Sequence, residues 1–515
     1  MRHQAKNQRA FGLGLLTLSL GLGGFGACAE PGGAGRGAGS GRAADAAPSN
    51  ERRGIGALSD GVDGGPVGGG DTIDGGGLDG VNGGGGLAIP SVIEIDPRRS
   101  LAVTDQAIVD QFSLQAVLGQ LAAQSGVPGA TALGLFRQLW DTQNDAATSA
   151  GLSEPCTGSL NGFPYACPRS EGVQAQQDPF ADPAGPEAYR AIGLFNRFDL
   201  APADGSNCGE HRIVFARRSG EANPVSRSLL IFEAVLDNPH RSLGLEGCAP
   251  VAAFWAALSL PGVTVQQRAT ALTHFYFQGL PGFQPVVHVD NYGNPVAGRQ
   301  TGQIRSNQFL SGPGEPWMLR EFRLVRSCSA GACELEAVPD TVKVNPSPEL
   351  FADAVDGSDA PIDQQRRDFQ SHFLTQLGGL ATPDVDLFNY SVPDRFNPGE
   401  SQSQGTRDDY AGKLGPAFAQ SVQAALDAQG IALTSQDVVN RSLALSCGGC
   451  HQVSNNRPLG GGLGNWPASQ GFTHVSERDP EPAPEGGLRF RISPALTGTF
   501  LPHRKAVLES FLSAL

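Results

Sequence analysis

Lysine and methionine are scarce in this chain of 515 residues, and both shortages limit what the protein can do. There are only four lysines, the arginines are scattered, and the formal net charge is −14. An acidic chain without a basic stripe lacks the electrostatic footprint of a nucleic-acid-binding protein. Beyond the N-terminal region, no apolar run is long enough to span a bilayer. Neither nucleic-acid binding nor a transmembrane function is therefore expected.

The first 28 residues have the pattern of an export signal. A positively charged stretch precedes the apolar run Phe11 to Phe25, which is too short to be a membrane anchor. Phe25-Gly26-Ala27-Cys28 resembles a lipobox, in which Cys28 would carry the lipid, whereas cleavage after Ala29 would discard Cys28. A Gly-rich segment follows at once and favours lipidation. We therefore predict an exported protein in the periplasm or at the outer membrane, held to the membrane by a lipid anchor only.

Composition divides the rest of the chain into four segments. Residues 29–90 are rich in Gly, Ala, Asp and Pro and cannot bury enough apolar surface to fold, so we predict a disordered linker. Residues 91–186 contain helical patterns and a Pro- and Gly-rich loop, and residues 187–346 contain short apolar runs between turn residues, which are typical of strands. Helical patterns return in residues 347–515. The predicted fold class is α+β, with a mixed, mostly antiparallel sheet domain followed by an α-helical domain.

Nine cysteines are typical of an exported chain in an oxidising compartment. Six remain after Cys28 and the two cysteines of the motif described next are set aside. Pairing each with its nearest neighbour predicts three disulfides: Cys156 with Cys167, Cys208 with Cys248, and Cys328 with Cys333. Free buried thiols are the alternative.

One motif carries specific chemistry, namely Cys447-Gly448-Gly449-Cys450-His451. Two thiols three residues apart can form thioethers with both vinyl groups of a haem, and His451 is then placed below the iron as the proximal ligand. Three other interpretations stay open: a thioredoxin-like redox pair, part of a zinc site, and a plain disulfide. A helix before the motif disfavours the first, and the lack of a second CxxC disfavours the second.

The stretch from Thr434 to Gln452 resembles the first helix and haem-attachment site of c-type cytochromes. The resemblance covers about residues 434–515 and implies a cytochrome c-like haem region with one covalent haem c. It also implies a C-terminal helix, here Lys505 to Leu515, that packs against the first helix. An electron-transfer function with a separate redox partner protein follows from the same resemblance, as does export, because c-type haem is attached outside the cytoplasm.

The sixth iron ligand departs from the usual His/Met pattern, since the only methionines are Met1 and Met318 and neither follows the motif. His503 or His474 is the candidate for the distal position. An unfilled position would instead allow a ligand or peroxide to bind. The alternatives to an electron carrier are therefore a peroxidase-like haem enzyme, or a non-haem envelope lipoprotein that binds some other ligand.

The middle segment offers weaker signals for a site. Polar groups at strand ends, in residues 196–199 and 288–292, could line a pocket together with His211, His240 and His274. Such strand-end residues are usually turn formers. No Gly-rich phosphate loop, G-x-S-x-G or H-E-x-x-H motif is present, so no catalytic residues are assigned.

Overall fold

The structure is a computed structural model that describes the following residues: 93–140, 159–165, 174–293, 300–309, 316–329 and 332–515. The predicted signal sequence with Cys28, the predicted linker and the predicted Cys156–Cys167 pair lie outside the described residues. Within the described ranges, no helix combines the length and the apolar character needed to cross a membrane.

An antiparallel sheet of eight strands lies at the centre of the described chain, which confirms the predicted α+β class. The strands run in the spatial order β1-β4-β5-β6-β7-β8-β10, and β9 pairs with the second half of β8. The sheet strands are β1 (Ala102–Val103), β4 (Tyr189–Arg197), β5 (Asn207–Arg217), β6 (Ser228–Asp237), β7 (Gln303–Phe309), β8 (Trp317–Ser329), β9 (Ala332–Asp340) and β10 (Glu400–Gln402). Two separate hairpins are formed by β2 (Ser159–Leu160) with β3 (Phe163–Pro164), and by β11 (Val475–Pro482) with β12 (Leu488–Ile492). Because β1 and β10 come from the flanking segments, the sheet joins all three folded parts of the chain.

Longer helices surround this sheet in the described residues: α1 (Leu114–Gln124), α2 (Ala132–Trp140), α3 (Ala249–Ala257), α4 (Val265–Phe277), α5 (Pro361–Leu374), α6 (Pro416–Ala428), α7 (Ser435–Leu445) and α8 (Leu501–Ala514). Thr434-Ser435 followed by Asp437 is a helix-start signal in the sequence, and the structure confirms it at the start of α7, because the Thr434 side chain accepts from the Asp437 backbone and the Asp437 side chain accepts from the Thr434 backbone. Single helical turns are formed by Pro97–Ser100, Gln106–Val109, Ser219–Ala222, Leu377–Leu380 and Tyr410–Lys413.

The two faces of the sheet differ in character, since side chains alternate between faces along each strand. One face carries His211 and Phe215 of β5 and Phe232 of β6, and α3 and α4 cover it. The ring of His211 stacks on Trp255 of α3 at 5.7 Å between centroids. Burial lowers the pKa of His211 to about 3, so this histidine is a neutral core side chain. The opposite face carries the charged residues Arg212, Glu233 and Arg305, and it faces the C-terminal part of the chain.

Two sequence expectations about elements turn out differently. The apolar run from Gln284 to Val289 predicts a strand, but in the structure these residues form a loop beside the end of α4, where the Val287 amide donates to the Tyr276 carbonyl at 2.8 Å. Pro285 has no amide hydrogen and therefore cannot take part in a regular strand ladder. The final helix α8, expected against α7, contacts the sheet side instead, with Phe511 at 4.8 Å from the Phe198 ring.

Two of the three predicted disulfides are confirmed. Cys208 pairs with Cys248, so that the beginning of β5 is tied to the residue before α3. Cys328 pairs with Cys333 and closes the β8–β9 hairpin, in which the two residues are direct cross-strand neighbours. Among the described residues, these bonds are consistent with an oxidising compartment.

We predict that the two disulfides differ in their contribution to stability. Removing the Cys208–Cys248 bond with two Ala substitutions should lower the free energy of unfolding by about 4 kcal/mol, and removing the Cys328–Cys333 bond by about 2 kcal/mol, because the longer loop loses more chain entropy when closed. Denaturant unfolding of both double variants measures the difference. An equal or reversed ranking would contradict the prediction.

Candidate functional site

The CxxCH motif lies directly after α7 and leads into a short π-helical segment, Gly449–Val453, against the edge of the sheet. Its two glycines are required by close backbone packing. A Cβ on Gly448 would lie 2.4 Å from the Gln402 carbonyl oxygen of β10, and one on Gly449 would lie 1.7 Å from the Leu443 carbonyl oxygen of α7. The Gly448 amide also donates to Ser401 Oγ at 2.9 Å. The motif is therefore wedged between the end of α7 and strand β10.

His451 is held in one tautomer by a backbone carbonyl. Its Nδ1 lies 3.0 Å from the carbonyl oxygen of Phe472. Because a carbonyl oxygen can only accept, Nδ1 carries the proton and Nε2 keeps its lone pair. Metal-binding histidines typically have this arrangement, since the second nitrogen fixes the ring orientation and increases the basicity of the ligating one.

Phe472 is in turn fixed by the ends of β7 and β8. Its ring lies 5.2 Å from that of Phe309 and 4.7 Å from that of Trp317, and the Arg227 guanidinium lies 5.0 Å from its centroid. Arg227 makes a buried two-point ion pair with Glu477 of β11, with both distances at 2.6 Å. The position of the His451 ring therefore depends on packing at the end of the sheet.

A partly open cleft of about 110 Å³ lies between the motif and the charged face of the sheet. This volume is smaller than the roughly 300 to 1,000 Å³ of typical ligand and cofactor sites. The cleft contains apolar side chains, arginines and the motif residues. Its described lining is formed by Phe195, Arg197, Arg212, Val214, Leu229, Ile231, Glu233, Arg305, Leu445, Ser446, Cys447, Cys450, His451, Thr473, His474, Val475, Leu496, Phe500 and Arg504.

Paired charges cross the central strands beneath the cleft. Arg212 of β5 lies 3.1 Å from the carboxylate of Glu233, its direct neighbour on β6. Arg305 of β7 lies 3.3 Å from Glu233 and 3.0 Å from Glu321 of β8. Gln303 also donates to Glu233, at 2.6 Å. Glu233 and Glu321 are almost completely buried, and unpaired carboxylates there would be strongly disfavoured.

A second group of paired charges lies on the same side of the cleft. Arg197 of β4 binds the Asp199 carboxylate through Nε and Nη2 at 2.9–3.1 Å, and Arg504 of α8 lies 3.8 Å from it. Burial would raise the pKa of Asp199, but the two arginines outweigh burial and hold it at about 2. Asp199 is therefore ionised, and Arg197, part of the polar strand end noted in the sequence, does line the cleft.

Of the two candidate distal histidines, His474 lies beside the motif. Its ring centroid is 5.0 Å from that of His451, and its Nε2 is 3.3 Å from Cys450 Sγ. Its Nδ1 lies 2.9 Å from Ser493 Oγ. Burial and the positive charge of Arg504 and Arg212, together with His451, hold the pKa of His474 well below its usual value, so the imidazole is neutral.

The other sequence candidates lie elsewhere. His503 faces Asp386, with its Nδ1 3.6 Å from the carboxylate, and it is not among the lining residues although Arg504 beside it is. The cleft is not lined either by the three histidines that the sequence suggested for a pocket in the middle segment, namely His211, His240 and His274. Within the described residues, no set of three His, Cys, Asp or Glu side chains converges as a metal-binding group.

Three sheet residues of the site, Arg212, Glu233 and Arg305, were not predicted from the sequence. A signal for them was present, because Glu233 interrupts the apolar run from Leu229 to Leu236. A charge inside such a run indicates a buried partner of opposite sign.

The motif cysteines are both buried, and Cys450 is disulfide-bonded in the structure. A sulfur atom in a disulfide cannot also carry a thioether. Haem attachment at Cys450 would therefore require that this disulfide be reduced first.

The buried carboxyl group of Asp408 is hydrogen-bonded to two residues of β10 that contact the motif. Asp408 Oδ2 accepts from the Gln402 amide at 2.7 Å and lies 3.1 Å from Ser401 Oγ, the same hydroxyl that accepts from Gly448. Burial raises the pKa of Asp408 to about 6, although Arg407 and the hydrogen bonds act in the opposite direction.

Comparison with protein-family models, with curated proteins and with solved structures finds no match for this chain.

We predict a pH-dependent stability difference between the protein and Asp408→Asn. The folded chain binds the Asp408 proton more tightly than the unfolded chain, so this contribution is fully present below about pH 4 and is lost as the pH rises through about 6. Relative to the variant, the unsubstituted protein should lose about 2 to 3 kcal/mol of unfolding free energy over that interval. Denaturant unfolding of both proteins at several pH values measures this loss, and a pH-independent difference would contradict it.

Proposed function

We propose that this chain is an exported monohaem c-type cytochrome-like protein that transfers electrons in the cell envelope. One observation carries the proposal: the only CxxCH motif of the sequence ends in a histidine whose Nδ1 lies on the Phe472 carbonyl, the ring orientation that is typical of metal-binding histidines. Neither a thioredoxin-like pair nor a plain disulfide requires this orientation of His451.

The lining of the cleft beside the motif fits a haem in chemistry, and a bound porphyrin would require the cleft to widen. Its apolar side chains, among them Phe195, Val214 and Phe500, suit the faces of a porphyrin, and both motif cysteines line the same space.

Each residue has a definite role in this proposal. A bound haem would supply reversible one-electron transfer. Cys447 and Cys450 would hold the porphyrin edge, and His451 Nε2 would bind the iron while the Phe472 carbonyl keeps the ring in orientation. The apolar lining and α7 would exclude water from the porphyrin face, which favours a stable redox centre over side reactions.

His474 is the favoured sixth ligand. It lines the same cleft as His451 and is neutral, whereas His503 is directed towards Asp386. Ser493 holds Nδ1, so Nε2 is the nitrogen that would bind, and binding would replace its present contact with Cys450 Sγ. A second imidazole in place of methionine would give a low reduction potential.

The cellular setting proposed from the sequence is unchanged: export, a lipid at Cys28, and a separate redox partner protein. The two described disulfides support an oxidising location.

We predict that haem is covalently attached. In protein produced with haem-maturation machinery, the haem should stay with the polypeptide after denaturation and extraction with acid and organic solvent. Cys447→Ala and Cys450→Ala should each impair covalent loading, whereas Cys328→Ala, in the hairpin disulfide, is the control and should load normally. Freely extracted haem, no haem, or a Cys450 disulfide in the loaded protein would contradict the proposal.

We predict that His474→Ala, but not His503→Ala, converts the ferric haem from low spin to high spin. The unsubstituted protein should show no absorption band from a Met–iron bond, and it should resist added ligands. Optical and paramagnetic resonance spectra of the three proteins measure this. If the unsubstituted protein instead binds carbon monoxide or peroxide rapidly, His474 is a distal polar group at an open iron, and the peroxidase-like enzyme becomes the better proposal.

A further inference from the structure

We infer that residues 400–408, named the strap, hold the CxxCH motif in its closed position, and that the strap releases the motif when Asp408 loses its proton. The strap begins with β10 and ends at Asp408. Its residues contact the motif but are not among the described residues that line the cleft. Such a movement belongs to the chain itself, so it goes beyond the proposed function and is the same whichever ligand the cleft takes up.

The site is closed to any large ligand in this structure. The cleft measures about 110 Å³, below the roughly 300 to 1,000 Å³ of typical ligand sites. The two motif cysteines, Cys447 and Cys450, are each only 7% exposed. One side of the cleft is formed by β4 to β7, and each of these strands is paired with a neighbour on both edges. The motif side is therefore the one that has to move when the cleft widens.

The strap holds the motif through the last strand of the sheet. This strand, β10, has three residues and pairs with β8 at one edge. A short edge strand opens locally at a lower free energy than the central strands do. Ser401 of β10 accepts from the Gly448 amide at 2.9 Å, and the Gln402 carbonyl oxygen leaves no room for a Cβ on Gly448. Opening of β10 therefore removes both contacts and lets the motif move away from the cleft.

The Ser401 hydroxyl connects the motif to the proton of Asp408. Its oxygen accepts from the Gly448 amide, and its single hydrogen has two acceptors in reach, Asn345 Oδ1 at 2.8 Å and Asp408 Oδ2 at 3.1 Å. A protonated Asp408 can donate to the Ser401 oxygen, so the hydroxyl hydrogen goes to Asn345 and each of these bonds is made. An ionised Asp408 needs the hydroxyl hydrogen itself, and Asn345 Oδ1 then loses this donor. The closed strap therefore favours the protonated carboxyl group.

The charges around Asp408 favour the protonated form as well. Two buried carboxyl groups of the strap share one guanidinium, and Arg407 lies 2.6 Å from Glu400 but 3.9 Å from Asp408. Two further ionisable groups face the strap: Tyr410, whose pKa burial raises so that it stays neutral, and Arg320 of β8, the direct neighbour of Glu400. Burial, together with the charge of Glu400, raises the pKa of Asp408 to about 6, although Arg407 and the hydrogen bonds act in the opposite direction.

Amide hydrogen exchange of the full chain without haem tests this inference. Below about pH 4 the strap should stay closed, and as the pH rises through about 6 it should open more often, because the open strap returns Asp408 to its ordinary pKa. About two pH units separate the two values, so the open fraction should rise about 100-fold. After correction for the pH dependence of intrinsic exchange, the protection of the Gly448 and Gln402 amides should fall by this factor between about pH 4 and pH 8. At every pH value these amides should be less protected than those of β5 and β6.

Two substitutions assign the effect to Asp408. Asp408→Asn keeps a side chain that can donate to Ser401, so protection of the strap amides should no longer depend on pH. Asp363→Asn is the matched control, because Asp363 of α5 is 4% exposed where Asp408 is 3%, and it also accepts from a backbone amide. Its partners Val355 and Arg366 lie outside the strap. This control should keep the full pH dependence.

Three results would overturn the inference. The first is protection of the strap amides that does not change with pH, and the second is an equal change in Asp408→Asn. The third is protection equal to that of the β5 and β6 amides at every pH value, because the strap would then open only when the whole chain unfolds. The first and third results come from the unsubstituted chain, so they decide the question even if a variant fails to fold. None of these measurements involves haem, whose attachment is tested separately by covalent loading.

Discussion

The structure depends on a set of charges that the central sheet buries on the face opposite α3 and α4. Arg212, Glu233, Arg305 and Glu321 lie side by side on neighbouring strands and share their partners, so that removing one of them leaves the opposite charges with fewer ion pairs. Buried ion pairs of this kind seldom make a protein more stable than apolar residues of the same size would. Their presence at the centre of the sheet, next to a cleft, is better explained by binding than by folding.

The position of the CxxCH motif also depends on the central sheet. The Phe472 carbonyl sets the tautomer of His451, and the Phe472 ring is packed on Phe309 and Trp317 at the end of the sheet. From the other side, Ser401 of β10 holds the Gly448 amide. The motif therefore does not belong to a helical unit that is separable from the rest, because both of its supports come from residues of the central sheet or from residues packed on it.

Local features of the sequence predicted local structure well. The Thr434–Asp437 pair fixed the start of α7, and proximity along the chain gave the two described disulfides, because short loops favour pairing of neighbours. The prediction of a strand at 284–289 was wrong because it relied on the apolar pattern alone. Pro285 has no amide hydrogen and therefore disfavours a strand at this position. The contact of Arg504 with Asp199 could not be predicted, since it joins residues about 300 positions apart and only the folded sheet brings them together.

Cys450 links the redox state of the chain to the proposed haem site. Its sulfur can be in a disulfide, as it is here, or in a thioether, but not in both. In the disulfide state the sulfur lies 3.3 Å from His474 Nε2, the nitrogen proposed to bind iron. In the proposed haem form, reduction must precede attachment, and attachment at Cys450 changes the surroundings of that nitrogen. Covalent attachment at Cys450 and binding of His474 to the iron would therefore each change the contact between this sulfur and this nitrogen, so that both steps act on the same pair of atoms.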